Sequence, residues 1–191
     1  MTTDTVYVFD ADGVLIEPWG FARSLERNFG IVPATTQAFF QGPFLDCITG
    51  HAELAETVAP YLRDWGWPHS VEALISFWLM SEDQPRADLL SYIAAIRERG
   101  GVCALASNQE IRRARFIEQD MFPGLFDRFY FSCDLGVAKP EPAYFNAITE
   151  DLGVAAENIY FWDDTRRHVD GAIRCGWNAC FYSGPDSLSF A

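Results

Sequence analysis

Four short stretches of the chain carry acidic, hydroxyl and cationic side chains that a reaction could use: Asp10-Ala11-Asp12-Gly13, Ser107-Asn108, Lys139-Pro140 and Asp163-Asp164. Each one alone is an ordinary turn or helix cap, because Asp, Ser, Asn and Gly favour both. Together they are chemically complementary. Clustered carboxylates repel one another until a cation neutralises them, and their hard oxygens suit Mg²⁺. In such a cluster Asp10 can act as a nucleophile, forming an aspartyl phosphate that divides one hard displacement into two easier ones. Asp12 can protonate the leaving oxygen and then deprotonate the attacking water. Ser107, with the N–H groups of Asn108 and of the Asp10–Asp12 turn, can hold phosphoryl oxygens. Lys139 offers a compact charge to those oxygens and to the nucleophile. It is the single lysine among 14 basic residues.

The surrounding elements would bring these stretches together. Five apolar runs read as strands buried on both faces: Thr5–Phe9, Val102–Ala106, Arg128–Phe131, Asn158–Trp162 and Ala179–Tyr182. Helices are predicted at Ala87–Arg99, Glu110–Gln119, Pro142–Leu152 and Val169–Cys175, so the chain from residue 87 alternates strand and helix. That rhythm predicts an α/β fold with a doubly wound, Rossmann-like parallel sheet. Ligands bind such sheets outside the carboxyl ends of the strands, where the four acids, Ser107 and Lys139 all fall. The rhythm fails between the first strand and residue 87. Four helices are predicted there instead, at Phe21–Phe29, Thr35–Gln41, Ala52–Trp65 and Ser70–Met80. Residues 1–16 and 87–191 are thus the expected core, and 17–86 an inserted helical cap.

Composition narrows the function. In 191 residues, 49% hydrophobic and 21% charged content describes a globular chain with a sizeable core. The net charge of −13 repels phosphate backbones and anionic bilayers, so neither nucleic acid nor a membrane is an expected partner. Cys47, Cys103, Cys133, Cys175 and Cys180 are odd in number and lack metal spacing, which suggests reduced thiols. Met1 to Asp4 lack the basic start and apolar run of a signal peptide, and a cytoplasmic location is expected.

Phe9-Asp10-Ala11-Asp12-Gly13-Val14, Ser107-Asn108, Lys139-Pro140 and Asp163-Asp164 resemble, in order and spacing, the four motifs of the haloacid dehalogenase superfamily. The resemblance covers the whole chain, helical cap included. It implies a sheet of order 3-2-1-4-5, Asp10 as nucleophile and Asp12 as acid/base. It also implies Mg²⁺ held by the Asp10 carboxylate, the Asp12 carbonyl and an acid of the fourth motif. Asp164 is expected to bind the metal directly, with Asp163 as an outer partner. His168 stands where this branch commonly shows Asn and is expected to bond a neighbouring loop.

The run from Gly136 to Pro140, with Asp163-Asp164-Thr165 and Val169-Asp170-Gly171-Ala172, looks most like the phosphatase branch containing α-D-glucose-1-phosphate phosphatases. Family dehalogenases carry Tyr at the position of Asp12, and phosphonate hydrolysis needs a cap lysine that this chain lacks. The expectation is therefore a phosphatase acting on a small phosphorylated metabolite, a sugar phosphate by resemblance. The alternatives are a phosphomutase of the same family and a non-catalytic phospho-ligand-binding protein. Trp19, Phe21, Arg23, Phe44 and His51 are cap candidates for facing the site, and the oligomeric state is left open.

Overall fold

The computed structural model describes residues 5–18 and 20–188, so the expectations for Met1–Asp4 and for Trp19 lie outside the described residues. Strand β1 (Val6–Phe9) is followed by helices α1 (Gly20–Phe29), α2 (Pro33–Phe40), α3 (Phe44–Ile48), α4 (Leu54–Val58), α5 (Leu62–Trp65) and α6 (Val71–Ser81). Then come α7 (Ala87–Glu98), β2 (Val102–Ser107), α8 (Ile111–Phe116), β3 (Arg128–Phe131) and α9 (Ser132–Leu135). The chain continues through α10 (Pro142–Leu152), β4 (Ile159–Asp163), α11 (Arg166–Arg174) and β5 (Asn178–Phe181). The five strands form one parallel sheet in the order β3-β2-β1-β4-β5, as the sequence predicts.

The central strands are apolar up to their carboxyl ends because both faces of the sheet are covered. Val6, Val8, Ala104, Ala106, Ile159 and Phe161 point to one face and meet Tyr144, Phe145 and Ile148 of α10. Phe9, Cys103, Leu105 and Trp162 point to the other and meet Leu89, Ile93 and Ile96 of α7. Phe9 and Trp162, neighbours across β1 and β4, stack with ring centroids 5.0 Å apart. Both are fully buried immediately before Asp10 and Asp163, so the core fixes where those acids stand.

The segment between β1 and α7 has an apolar cluster of its own, built on Phe39, Trp65, Trp67, Leu74 and Trp78. Two expectations here are corrected. The single helix predicted at Ala52–Trp65 is instead α4, a 3₁₀ turn at Ala59–Tyr61, and α5. Pro60 has no N–H to continue an α-helical ladder and sits where the helix changes form. The short α3 was not predicted, because Gly42-Pro43 and Gly50 read as loop punctuation; Pro43 in fact caps that helix. At the base, the chain leaves and returns side by side. Glu17 N donates to Gln84 O at 3.0 Å, Arg86 N donates to Leu15 O at 2.8 Å, and Ile16 pairs with Pro85. Smaller differences occur in the core. The helix read at Glu110–Gln119 ends in a π turn at Ile117–Met121, and α11 begins three residues earlier than predicted. Among the described residues no helix is long and apolar enough to cross a membrane, and all five cysteines are free.

Gly171 of α11 lies against the turn that carries Lys139. A Cβ there would stand 2.9 Å from Pro140 O and 3.0 Å from Phe145 Cε2. Gly171→Ala should therefore overpack this contact and cost about 1–3 kcal/mol. Urea unfolding measures the loss, and an unchanged midpoint would show that α11 is free to move away from the turn.

Candidate active site

At the carboxyl edge of the sheet, Lys139 is the centre of the arrangement. Its side chain is fully buried, and an ammonium group has three N–H donors. All three are used: Asp10 Oδ1 at 2.9 Å, Asp163 Oδ2 at 2.6 Å and the Ala106 carbonyl at 3.0 Å. The two carboxylates overcome the burial penalty and keep the amine protonated, its pKa raised above the ordinary value. Asn108 explains how the lysine backbone is held. Its side chain accepts from Lys139 N at 2.8 Å and donates to Lys139 O at 3.0 Å, while the Lys139–Pro140 peptide is cis. The Asn108 side chain is thus spent on the lysine, and the contact expected with phosphoryl oxygens is one its N–H would make.

Asp10 directly follows β1 and is buried. Lys139 and the Ala11 N–H, the latter at 2.8 Å, both donate to Oδ1 and fix the carboxylate's rotation. Asp163, at the end of β4, takes Lys139, the Thr165 N–H at 2.8 Å and His168 Nδ1 at 3.1 Å. Burial works to raise both acids, but with different outcomes. For Asp163 the attraction of Lys139 and His168 prevails and holds the carboxyl well below its usual range. For Asp10 burial, reinforced by the Asp163 charge, wins over Lys139 and pushes the carboxyl well above it. His168 is buried and, by that burial, kept below its ordinary pKa; as the neutral tautomer it donates from Nδ1 to Asp163.

Asp164 takes the opposite direction from its neighbour. It is exposed, and its carboxylate lies over Gly13: a Cβ on Gly13, whose φ is +78°, would stand 1.8 Å from Asp164 Oδ2. Only a glycine allows the fourth-motif acid to rest on the Asp12–Gly13 backbone. Burial and the Asp163 charge push Asp164 up as well. Asp10 and Asp164 are thus carboxylates with unmet demand for positive charge, next to a backbone that offers carbonyl oxygen. The all-oxygen donor set and that unmet demand fit a small hard dication. Asp10, Asp163 and His168 also bring one ligand atom each within 4.8 Å of one another.

Ser107 is buried at the end of β2, its Oγ 3.1 Å from Gln109 Nε2. Asp12 is half exposed and gripped on both oxygens, Oδ1 by Arg113 Nη2 and Oδ2 by Gln109 Nε2 at 2.7 Å. Neither Gln109 nor Arg113 was foreseen. Gln109 continues the Ser-Asn stretch and was legible as its neighbour, whereas Arg113 has no signal in a helix where Arg112, Arg113 and Arg115 look alike. Of the cap candidates, Phe21 and Phe44 belong to the aromatic packing around Trp78, with centroids 4.9 and 5.4 Å from it. Arg23 donates to Pro18 O, and His51 pairs with Thr49 Oγ1.

A five-stranded parallel sheet of this order, with acids and a lysine at its carboxyl edge and a helical insert after β1, is the Rossmann-like arrangement of a class of hydrolases. The chain belongs to the haloacid dehalogenase-like hydrolase family, whose family model matches residues 5–176. It is 29% identical to the phosphatase MT3486 of Mycobacterium tuberculosis (strain CDC 1551 / Oshkosh), over 90% of this chain and 84% of that one. Its fold is similar to that of the HAD family enzyme BT-2542 of Bacteroides thetaiotaomicron, crystallised with magnesium and inorganic phosphate, at a TM-score of 0.80 and 23% identity over 97% of both chains. It is also similar to L-2-haloacid dehalogenase of Xanthobacter autotrophicus, at a TM-score of 0.71 and 20% identity over 99% of this chain and 81% of that one.

Replacing Lys139 should show what it holds. Lys139→Met strands two carboxylates in the interior without their counter-charge, a loss of about 3–5 kcal/mol. Chemical denaturation reads this directly, and a variant as stable as the parent would mean the acids are solvated rather than paired.

Proposed function

We propose that the protein is a Mg²⁺-dependent phosphomonoesterase that hydrolyses a small phosphorylated metabolite, with residues 17–86 acting as its cap. The observation that carries this reading is the Lys139 ammonium joined to Asp10, with a second acid, Asp12, two residues further on. Phosphoryl transfer needs positioning and charge neutralisation more than covalent assistance, and these groups supply both. The name of the mycobacterial relative, and the magnesium and phosphate found with BT-2542, support the same reading.

The Asp10 carboxylate attacks phosphorus, and the bond from phosphorus to the leaving oxygen breaks as the aspartyl phosphate forms. Asp12 gives the departing alkoxide its proton. It then takes a proton from water as that water attacks the phosphoryl group, and the bond to Asp10 breaks to release phosphate. Lys139 keeps Asp10 in place and balances the charge that gathers on the phosphoryl oxygens. Ser107 Oγ–H and the Asn108 N–H donate to those oxygens at the end of β2. We assign the Asp10 carboxylate, the Asp12 carbonyl and the Asp164 carboxylate to the metal, with Asp163 behind them as the partner of Lys139. The bound Mg²⁺ would supply charge neutralisation between phosphate and carboxylates.

An Asp two residues after the nucleophile, where dehalogenases of the resemblance carry Tyr, favours phosphate esters over carbon–halogen bonds. The substrates to try first are sugar phosphates. Phosphate release from a panel of phosphorylated metabolites, with and without Mg²⁺, tests the proposal. Activity should vanish with EDTA and fall by at least about 10³-fold in Asp10→Asn, since the covalent route is closed. Hydrolysis that survives EDTA or the Asn substitution would refute it.

A further inference from the structure

Arg113 is a guanidinium with almost no exposure, placed where neither the fold nor the chemistry above requires a cation. Its side chain is 3% exposed. One end, Nη2, holds Asp12 Oδ1; the other, Nη1, lies 2.7 Å from Glu82 Oε2. Glu82 directly follows α6, and the same oxygen accepts from Trp78 Nε1 at 2.7 Å. On the core side, Glu110 accepts from the Arg113 N–H at 2.6 Å and so fixes the helix turn from which the guanidinium projects. Gln109 completes the grip by donating to the second oxygen of Asp12. Three separate segments, the loop after β1, the start of α8 and the end of the last cap helix, therefore meet on one planar fork.

We propose that Arg113, oriented from the cap side by Glu82, is a positioning residue that sets the direction of the Asp12 carboxylate. This inference rests on the phosphatase reading given above. Asp12 sits on a loop and is 47% exposed, so its side chain would otherwise rotate among several directions. A guanidinium differs from an ammonium here because its donors lie in fixed directions in one plane. Nη1 lies in ion-pair contact with Glu82 without a directed hydrogen bond, while Nη2 donates to Asp12 Oδ1, so the guanidinium is held between the two carboxylates. Holding together cap and core does not by itself explain the arrangement. The neighbouring Arg112 already ties them, through Glu53 at 2.8 Å and Glu72 at 2.7 Å, and it does so at the surface. Arg113 adds a buried connection whose far end is the acid/base itself.

Positioning of an acid matters most when the leaving group is a poor one. An alkoxide needs its proton as the P–O bond breaks, whereas a nitrophenolate departs without help. The value of kcat/KM covers the steps up to transfer of the phosphoryl group to Asp10, so it senses that proton. The experiment compares kcat/KM for p-nitrophenyl phosphate and for the alkyl phosphate that the wild type hydrolyses best, with Mg²⁺ present. Three variants are used: Arg113→Lys, Glu82→Gln, and Arg113→Met combined with Glu82→Gln. The double variant removes both buried charges together and so avoids leaving one of them unpaired. The ratio of alkyl to aryl kcat/KM should drop about tenfold or more in the double variant and in Arg113→Lys, within the 10²–10⁴-fold that general acid catalysis contributes. Glu82→Gln should move the ratio the same way by a smaller factor. If both esters fall by a common factor, or the ratio stays at the wild-type value, Arg113 is a structural brace and the inference is wrong. If the wild type hydrolyses neither ester, the phosphatase reading fails, and this inference with it.

Discussion

A lysine side chain with no solvent exposure must find an acceptor for each of its three protons, and the way Lys139 does so determines the rest of the site. Its ammonium bridges the ends of β1, β2 and β4 through Asp10, the Ala106 carbonyl and Asp163. These three strands are adjacent in the sheet, so the ion pairs act as a tie across its carboxyl edge. Removing one charge from such a group leaves others buried and unpaired, which is why the site resists partial change. Asp163 is satisfied by this arrangement, and Asp10 is not. Burial and the Asp163 charge push the Asp10 carboxyl above its ordinary range, so it is the acid of this group that a further positive charge would stabilise most.

The lysine itself must be delivered from a loop. Asn108 brackets its peptide on both sides, Gly171 lets α11 approach the turn, and Gly13 lets Asp164 settle over the first loop. Each is a residue whose side chain, or lack of one, serves the position of another. The helical segment between β1 and α7 contributes through paired linkers at its base and through acids that reach α8, where Arg112 and Arg113 receive them.

The sheet was legible in the sequence because each strand is a short, mainly apolar run, and a polar residue closes or directly follows β1, β2, β3 and β4. The strand order followed from the family resemblance, and the observed bounds differ from the predicted ones by a residue or so. Asp10, Asp12, Ser107, Lys139, Asp163 and Asp164 were visible for the same reason: they stand at strand ends or in the loops that follow. What escaped was side-chain partnership between distant segments. Asn108 reads as a helix cap or phosphate contact until Lys139 is seen beside it, 31 positions away. Arg113 and Glu82 carry no signal of their own, since an arginine-rich helix gives no sign of which guanidinium turns inward. In the cap, the aromatic content was clear, but Pro60 and the Gly42-Pro43 step divided the helices in ways that periodicity averages over.

The central claim is that Asp10, held by Lys139, is the residue that accepts the phosphoryl group. An aspartyl phosphate is an acyl phosphate, and borohydride reduces it to homoserine while leaving a free aspartate untouched. The most direct measurement is to quench the enzyme with borohydride during turnover and map the reduced residue by mass spectrometry. The account predicts homoserine at position 10, only when substrate and Mg²⁺ are both present. Reduction at another position, or none in an enzyme that is turning over, would contradict it.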